Sequence, residues 1–331
     1  MKNMLFRTLL LYPALFAGAI PEDSLPQAYA QKILPYLNEK GHAGSVAGKG
    51  GITLRFFTIE KNEESAALVV LGGHTESYIK YAELFYDLRD LPVSIYALDQ
   101  RGQGFSDHLL KDREKSHVAN WEDYTADLKL FMDGVVKAKQ HAKVFVFGHS
   151  LAGAVAAAYL EKYPGEFDGA ILNAPLVRTT IGFLGTVAVN TIDLFGGGDG
   201  YVPGGSPYAA TPFEKNKETH SPARHERKLR DYEDHPEIRL GFPTVHWMAE
   251  AGRMASFVQS GAASIAVPVL VLRADEDAYV DGAGLDEFCR KLPNCRRVFL
   301  KGAWHEILIE RDEIRDTALA EIRNFLKEQS C

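Results

Sequence analysis

"FVFGHSLAGAVAAAYL", residues 145–160, changes character at its centre. Phe145-Val146-Phe147 is the β-branched and aromatic run of a buried strand. From Ala152 onward the chain is Ala-rich and favours helix. Between the two stands Ser150, flanked by Gly148 and Gly153. A serine at a sharp strand-to-helix turn projects its hydroxyl at the carboxyl edge of a sheet, where a base can activate it. The usual pattern for such an elbow is G-x-S-x-G. Here the fifth position is Ala152, and the second glycine comes one residue later. Alanine adds a single methyl, so the turn remains feasible. A serine in this place also reads as a helix N-cap, but the strand before it and the residues downstream favour the elbow.

An activated serine needs a base and an acid, which in this architecture follow it in the order Ser, acid, His. "VPVLVLRADEDAYVD", residues 267–281, is a strand ending in acids, and "RRVFLKGAWHEIL", residues 296–308, is a strand followed by His305. Of the 11 histidines, His305 is the one placed just after a late strand. Asp277 is assigned as the acid because it lies far enough into its loop to turn toward His305. Asp275 and Asp281 are the fallbacks. Acyl transfer also needs donors for a developing oxyanion. The backbone N–H of Leu151, directly after the serine, is one. "LVVLGGHTES", residues 68–77, offers the other in the backbone N–H of His74, with Gly73 as fallback. "LDQRGQGFSD", residues 98–107, lacks the third glycine of a dinucleotide loop and reads as a structural turn.

Strands are expected at 52–58, 67–71, 93–98, 143–147, 169–172, 267–273 and 296–300. Helical faces lie between them: Tyr78, Tyr81, Phe85 and Leu88; then Trp121, Tyr124, Leu128, Phe131 and Val135; then Ile314, Ala318, Ile322 and Phe325. This alternation predicts an α/β fold with a mostly parallel central sheet and helices on both faces. It fails over residues 175–264, where "FGGGDGYVPGGSPYAATPFEKNKETHS" (195–221) is rich in Gly, Pro and Tyr. That stretch reads as an inserted cap between the core segments 20–174 and 265–331. Within it Ile181, Phe183, Leu184, Val187 and Leu194 supply apolar surface for an acyl chain. "HSPARHERKLR", residues 220–230, supplies Arg224, Arg227, Lys228 and Arg230 for a phosphate, with Arg224 and Arg227 the candidate substrate-binding residues.

The 331 residues are 46% hydrophobic, ample for a core, and the net charge of −7 argues against a nucleic-acid partner. Residues 1–19 run from Lys2 and Arg7 through an apolar stretch to Ala17-Gly18-Ala19, the pattern of a signal peptide cleaved after Ala19. That predicts an exported protein, periplasmic or secreted, against the alternative of an amphipathic helix on the body or on a membrane. The three cysteines show no metal-ligand CxxC spacing, and Cys289 and Cys295 are placed to bridge a helix end to the next strand if the protein is exported.

Together these residues resemble the α/β-hydrolase fold, in the branch of bacterial lysophospholipases, monoacylglycerol lipases and serine aminopeptidases. The likeness covers roughly residues 50–328 and is greatest to the bacterial lysophospholipases. It rests on "ESYIKYAELFYDL", "DQRGQGFSD", "HVANWEDYTADL", "GHSLAG", "PFEKNKETHSPARHERKLRDYEDHPEIRLGFPTVHW" and "KGAWHEILIERDEIRD". The resemblance implies Ser150 as nucleophile, His305 as base and Asp277 as acid, with the N–H groups of His74 and Leu151 as oxyanion hole. It implies hydrolysis of a lysophospholipid acyl ester, with no cofactor or metal. A monoacylglycerol lipase or general carboxylesterase is the alternative, and a non-catalytic ligand receptor on the same fold is a more distant one. Gly-Gly-His replaces the His-Gly of the lipase relatives, and Ala152 departs from the elbow pattern.

Overall fold

The computed structural model describes residues 19–330, so all but the last residue of the expected signal peptide lies outside the described part. Eight strands, β1 (Gly41–Ala47), β2 (Thr53–Ile59), β3 (Ala66–Leu71), β4 (Val93–Leu98), β5 (Val144–His149), β6 (Gly169–Asn173), β7 (Val269–Ala274) and β8 (Cys295–Leu300), form one sheet. Their order is β1-β2-β4-β3-β5-β6-β7-β8. β1 and β2 run antiparallel at one edge, and the remaining six strands pair in parallel. β3, β4 and β6 are buried throughout and β5 is buried from Phe145 on, which is why they read as apolar runs.

Helices cover both faces. After the short α1 (Leu25–Ala28) and α2 (Leu34–Lys40) come α3 (Ala82–Asp87), α4 (Glu122–Gly134), α5 (Leu151–Lys162), α6 (Phe183–Ile192), α7 (Pro222–Asp234), α8 (Val245–Gly261), α9 (Gly282–Lys291) and α10 (Asp312–Gln329). Alternate side chains of each strand feed two cores. Val69, Leu71 and Val146 join Leu128, Val155, Val258 and Phe288 of α4, α5, α8 and α9. Leu68, Val70 and Phe147 join Phe85 of α3 and Ile322 and Phe325 of α10.

Parallel register aligns the strand ends. Leu71 of β3 pairs with Gly148 of β5, and His149 pairs with Asn173 of β6. Ala274 of β7 pairs with Leu300 of β8. The loops beginning at Gly72, Ser150, Ala174, Asp275 and Lys301 therefore leave the sheet along one edge, the usual ligand edge of such sheets.

Two features depart from the sequence expectation. β1 was not foreseen, because "GHAGSVA" is half-exposed and rich in small residues. A side chain at Gly44 would strike the ring of Phe56 at 2.3 Å, and one at Gly41 would strike Phe57, so glycine is needed where these rings lie across the edge strand. α8 lies inside the stretch assigned to the cap, yet it packs on α5 and contributes Met254 and Val258 to the core. The inserted layer thus ends near Thr244, and apolar residues on one face of α8 explain why. Cys289 of α9 and Cys295 of β8 are joined in a disulfide.

Candidate active site

β5 runs into α5 through Ser150, whose φ of 50° and ψ of −116° are rarely adopted by a side-chain-bearing residue. Such strain costs on the order of 1–3 kcal/mol and persists only where neighbours fix it. Here Ser150 N–H donates to Asn173 O at 3.0 Å, and Ser150 O accepts from Leu176 N at 2.9 Å and Gly153 N at 3.0 Å. A Cβ at Gly148 would lie 2.4 Å from Ala152 O, and one at Gly153 would lie 2.6 Å from Pro175 Cβ. The two glycines flanking the serine are thus required by close approach. Ala152, where the usual pattern has glycine, is fully buried.

His305 Nε2 lies 2.9 Å from Ser150 Oγ, and His305 Nδ1 lies 2.7 Å from Asp277 Oδ2. The imidazole stands between the rings of His149 and Tyr279, with centroids 4.9 Å and 5.1 Å away. Asp277 Oδ1 accepts from the N–H groups of Tyr279 and Val280 at 2.8 Å and 3.0 Å. Burial alone would raise the Asp277 pKa. The hydrogen bond and charge of His305, with those two N–H groups, hold it below the usual carboxylate value instead. It is therefore ionised at neutral pH, as an acceptor of His305 Nδ1–H must be. The two fallback acids are engaged elsewhere: Asp275 accepts from Gly302 N, and Asp281 caps α9 through Ala283 N and Gly284 N.

The turn after β3 lies against the serine, since a Cβ at Gly73 would fall 3.2 Å from Ser150 Cβ. Gly73 N–H is taken by Glu76 Oε2 at 2.6 Å, which removes Gly73 as an oxyanion donor. Gln103 Nε2 donates to Gly73 O at 2.6 Å, and Gln100 Nε2 donates to Gly72 O at 2.9 Å. Because the Gly73–His74 peptide is planar and trans, pinning its carbonyl fixes its N–H on the opposite side. Both glutamines come from "DQRGQG", so that loop braces the turn after β3. Sequence reasoning read the loop as structural and missed this role, although paired amides beside glycines at a strand end were the available signal. The His74 ring lies tilted against Trp247, with centroids 4.3 Å apart, and bonds Ser116 Oγ at 2.8 Å. Desolvation there pushes its pKa down to about 4, so it is neutral.

A family model described as "Serine aminopeptidase, S33" matches residues 62–312. The chain belongs to this α/β-hydrolase family. It is 36% identical over 289 residues to lysophospholipase L2 of Escherichia coli (strain K12), covering 84% of this chain and 85% of the relative. It is 25% identical to a probable lysophospholipase L2 of Haemophilus influenzae, over 94% of this chain and the relative's full length. It thus groups with the bacterial lysophospholipases and is a carboxylic ester hydrolase. A soluble variant of the Saccharomyces cerevisiae monoglyceride lipase has the same fold, with a TM-score of 0.70 at 17% identity over 87% of this chain and 95% of that one.

In this hydrolase the basic run of the cap is not arranged as its sequence implied. Arg224 is buried, with Nη2 on Glu83 at 3.0 Å, on Asp312 at 2.8 Å and on the carbonyl of Ile20 at 3.2 Å. Its Nη1 donates to Glu310 O. Arg227 is paired with Asp231 and Asp234 and lies over the Tyr29 ring. Both guanidinium groups tie the cap to the N-terminal segment, so neither serves a ligand as expected. Arg230 pairs with Glu226 on the exposed face. Lys228 differs: it pairs with Glu218, whose carbonyl accepts Glu306 N–H at 2.9 Å, next to His305. One turn on, Tyr232 O–H donates to Thr75 O at 3.1 Å, in the loop after β3.

The expected acyl trench is also differently built. Leu184, Val187 and Leu194 face outward, and Phe195 beyond them is 83% exposed. Ile181, Thr186 and Val189 instead line a groove of about 1140 Å³ against Met248, Ala249 and Ala255 of α8.

Proposed function

We propose that this hydrolase cleaves the acyl ester of lysophospholipids, releasing a fatty acid and a glycerophospho-alcohol. The observation that carries the reaction is the hydrogen-bonded chain Ser150–His305–Asp277 beside a turn whose Gly73 carbonyl is held by Gln103. Ser150 Oγ attacks the ester carbonyl as its proton passes to His305 Nε2. Asp277 holds the tautomer and stabilises the imidazolium. The N–H groups of His74 and Leu151 receive the oxyanion. The tetrahedral intermediate expels the alcohol, which takes the proton from His305. Water, deprotonated by His305, then opens the acyl-enzyme and frees Ser150.

The head-group reading is supported by the 36% identity to lysophospholipase L2 and by Lys228. Burial alone would lower the Lys228 pKa, but the Glu218 carboxylate outweighs it and holds it above the ordinary lysine value. Lys228 is the cation of the basic run closest to the catalytic edge, and we assign it to the substrate phosphate. Matched-chain lysophosphatidylethanolamine and monoacylglycerol test this. Lysophospholipid is expected to have the higher kcat/KM, and Lys228→Gln to reduce that value about tenfold with little change for monoacylglycerol. A tenfold preference for monoacylglycerol in the unaltered enzyme would instead assign it as a monoacylglycerol lipase.

The exposed apolar face of α6 and of the turn after it supports contact with a lipid surface. Leu184, Leu194 and Phe195 are each at least 80% exposed and lie within one short segment. Replacing all three by glutamine is expected to abolish sedimentation with phosphatidylethanolamine–phosphatidylglycerol vesicles while sparing hydrolysis of a short soluble ester. Undiminished sedimentation would remove this segment as the contact.

A further inference from the structure

Behind the triad lies a second set of charged groups that the reaction above leaves unused. Glu76, in the loop after β3, and Glu306, beside His305, both ion-pair with Lys80. His149 Nε2 lies 3.2 Å from Glu306 Oε2 and 3.7 Å from Glu76 Oε1. No side chain of the four is more than 10% exposed. Glu76, His149 and Glu306 present oxygen and nitrogen atoms at metal-ligand spacing. Lys80 is already bound to both carboxylates, so an ammonium takes the cation's place.

The chemistry of its contacts fixes the charge of His149. Nδ1 faces the backbone oxygen of Asn173 at 3.0 Å, and Nε2 faces the Glu306 carboxylate. Both partners are acceptors, so both ring nitrogens carry hydrogen and the ring is an imidazolium. The Asn173 side-chain amide also sits 2.9 Å from Nδ1, and its oxygen is without a partner. Exchanging its O and N gives the ring a further acceptor. Burial alone would lower the His149 pKa, but Glu306 and Glu76 outweigh it and raise it. Burial likewise opposes ionisation of Glu306, and Lys80 and His149 reverse this, holding it well below the carboxylate range. Two carboxylates, one ammonium and one imidazolium sum to zero.

The four groups sit in different parts of the catalytic edge. Glu76 holds Gly73 N–H in the oxyanion turn, His149 precedes Ser150, and Glu306 follows His305. The His149 and His305 rings are 4.9 Å apart. We propose that Glu76, Lys80, His149 and Glu306 form a charge-balanced positioning unit that locks these loops together, and that its net charge sets the protonation of His305. The proposal rests on His305 being the catalytic base. The other titratable groups that face the unit are Tyr81, which donates to Glu76, Glu83 in the cavity beside Lys80, Asp277 and Tyr279 against His305, and Lys228 and Glu218 from the cap.

Charge variants test it. Glu306→Gln leaves one surplus positive charge, which disfavours the His305 imidazolium. The acid limb of kcat/KM for p-nitrophenyl butyrate is expected to move to lower pH by about one unit, and kcat to fall more than tenfold with KM nearly constant. Lys80→Met leaves one surplus negative charge and moves the limb to higher pH. The double variant restores the balance and returns the limb toward its starting position. Glu76→Gln and His149→Gln repeat the two charge changes if either first variant fails to fold. Limbs that stay in place, shift in the same direction or fail to cancel overturn the proposal, since a merely structural role does not reverse sign with charge. The short ester carries no head group, so this outcome is independent of the lysophospholipid reading. Residual turnover in Ser150→Ala separately reports on the triad.

Discussion

Ser150→Ala lowers kcat for ester hydrolysis by about four orders of magnitude or more, and His305→Ala does the same, as expected of groups acting as a unit. The double variant is no worse than either single one, because once the nucleophile or its base is gone the other has nothing to act on. The fold survives, since alanine at 150 keeps the same backbone strain and the same hydrogen bonds through Ser150 N and O. Asp277→Asn preserves shape but removes the acceptor that fixes the His305 tautomer, and a loss of about 10⁴ in kcat is expected. Asp275→Asn and Asp281→Asn cost less than about tenfold, because these acids serve Gly302 N and the start of α9. Steady-state kinetics on a short ester at saturating concentration separate the cases. A larger loss at Asp275 or Asp281 than at Asp277 would move the acid.

The second large effect is on stability. Arg224 is among the largest fully buried side chains, and it joins the N-terminal segment, α3, the cap and the start of α10 through Ile20 O, Glu83, Glu310 O and Asp312. Breaking a buried pair from one side leaves an uncompensated charge and typically costs about 3–5 kcal/mol. Arg224→Met removes the guanidinium but keeps most of the apolar stem. Glu83 retains Arg315 at 3.3 Å, whereas Glu310 O and Ile20 O lose donors. A loss of about 3–5 kcal/mol in denaturant unfolding is expected, with near-normal turnover of a short ester by the folded fraction. If stability were unchanged and lysophospholipid hydrolysis alone fell, Arg224 would return to the substrate site.

The parallel core was legible because fully buried strands announce themselves as apolar runs, and β4 begins and ends at the residues its sequence implied. The strand ends then limited where Ser150, Asp277 and His305 could emerge, and the structure brings all three within hydrogen-bond reach. β1 was illegible because its burial comes from aromatic rings on β2 lying over its glycines, a relation between strands and not a pattern within one. α8 was obscured by lying in the same insertion as the Gly- and Pro-rich stretch 195–221. The basic run misled for another reason. Charge on a helix shows where a cation begins but not what it meets: Arg224 meets carboxylates far away in sequence, and Arg227 meets those of Asp231 and Asp234 on its own helix. The positioning unit was hidden in the same way, since Lys80, His149 and Glu306 come from three separate parts of the chain.

The most direct measurement of the central claim is fluorophosphonate labelling followed by mass analysis of the peptides. A strained, base-activated Ser150 predicts one adduct, on the peptide spanning 145–160, absent from Ser150→Ala and greatly slowed in His305→Ala. An adduct on another residue, or undiminished labelling of Ser150→Ala, would contradict the account.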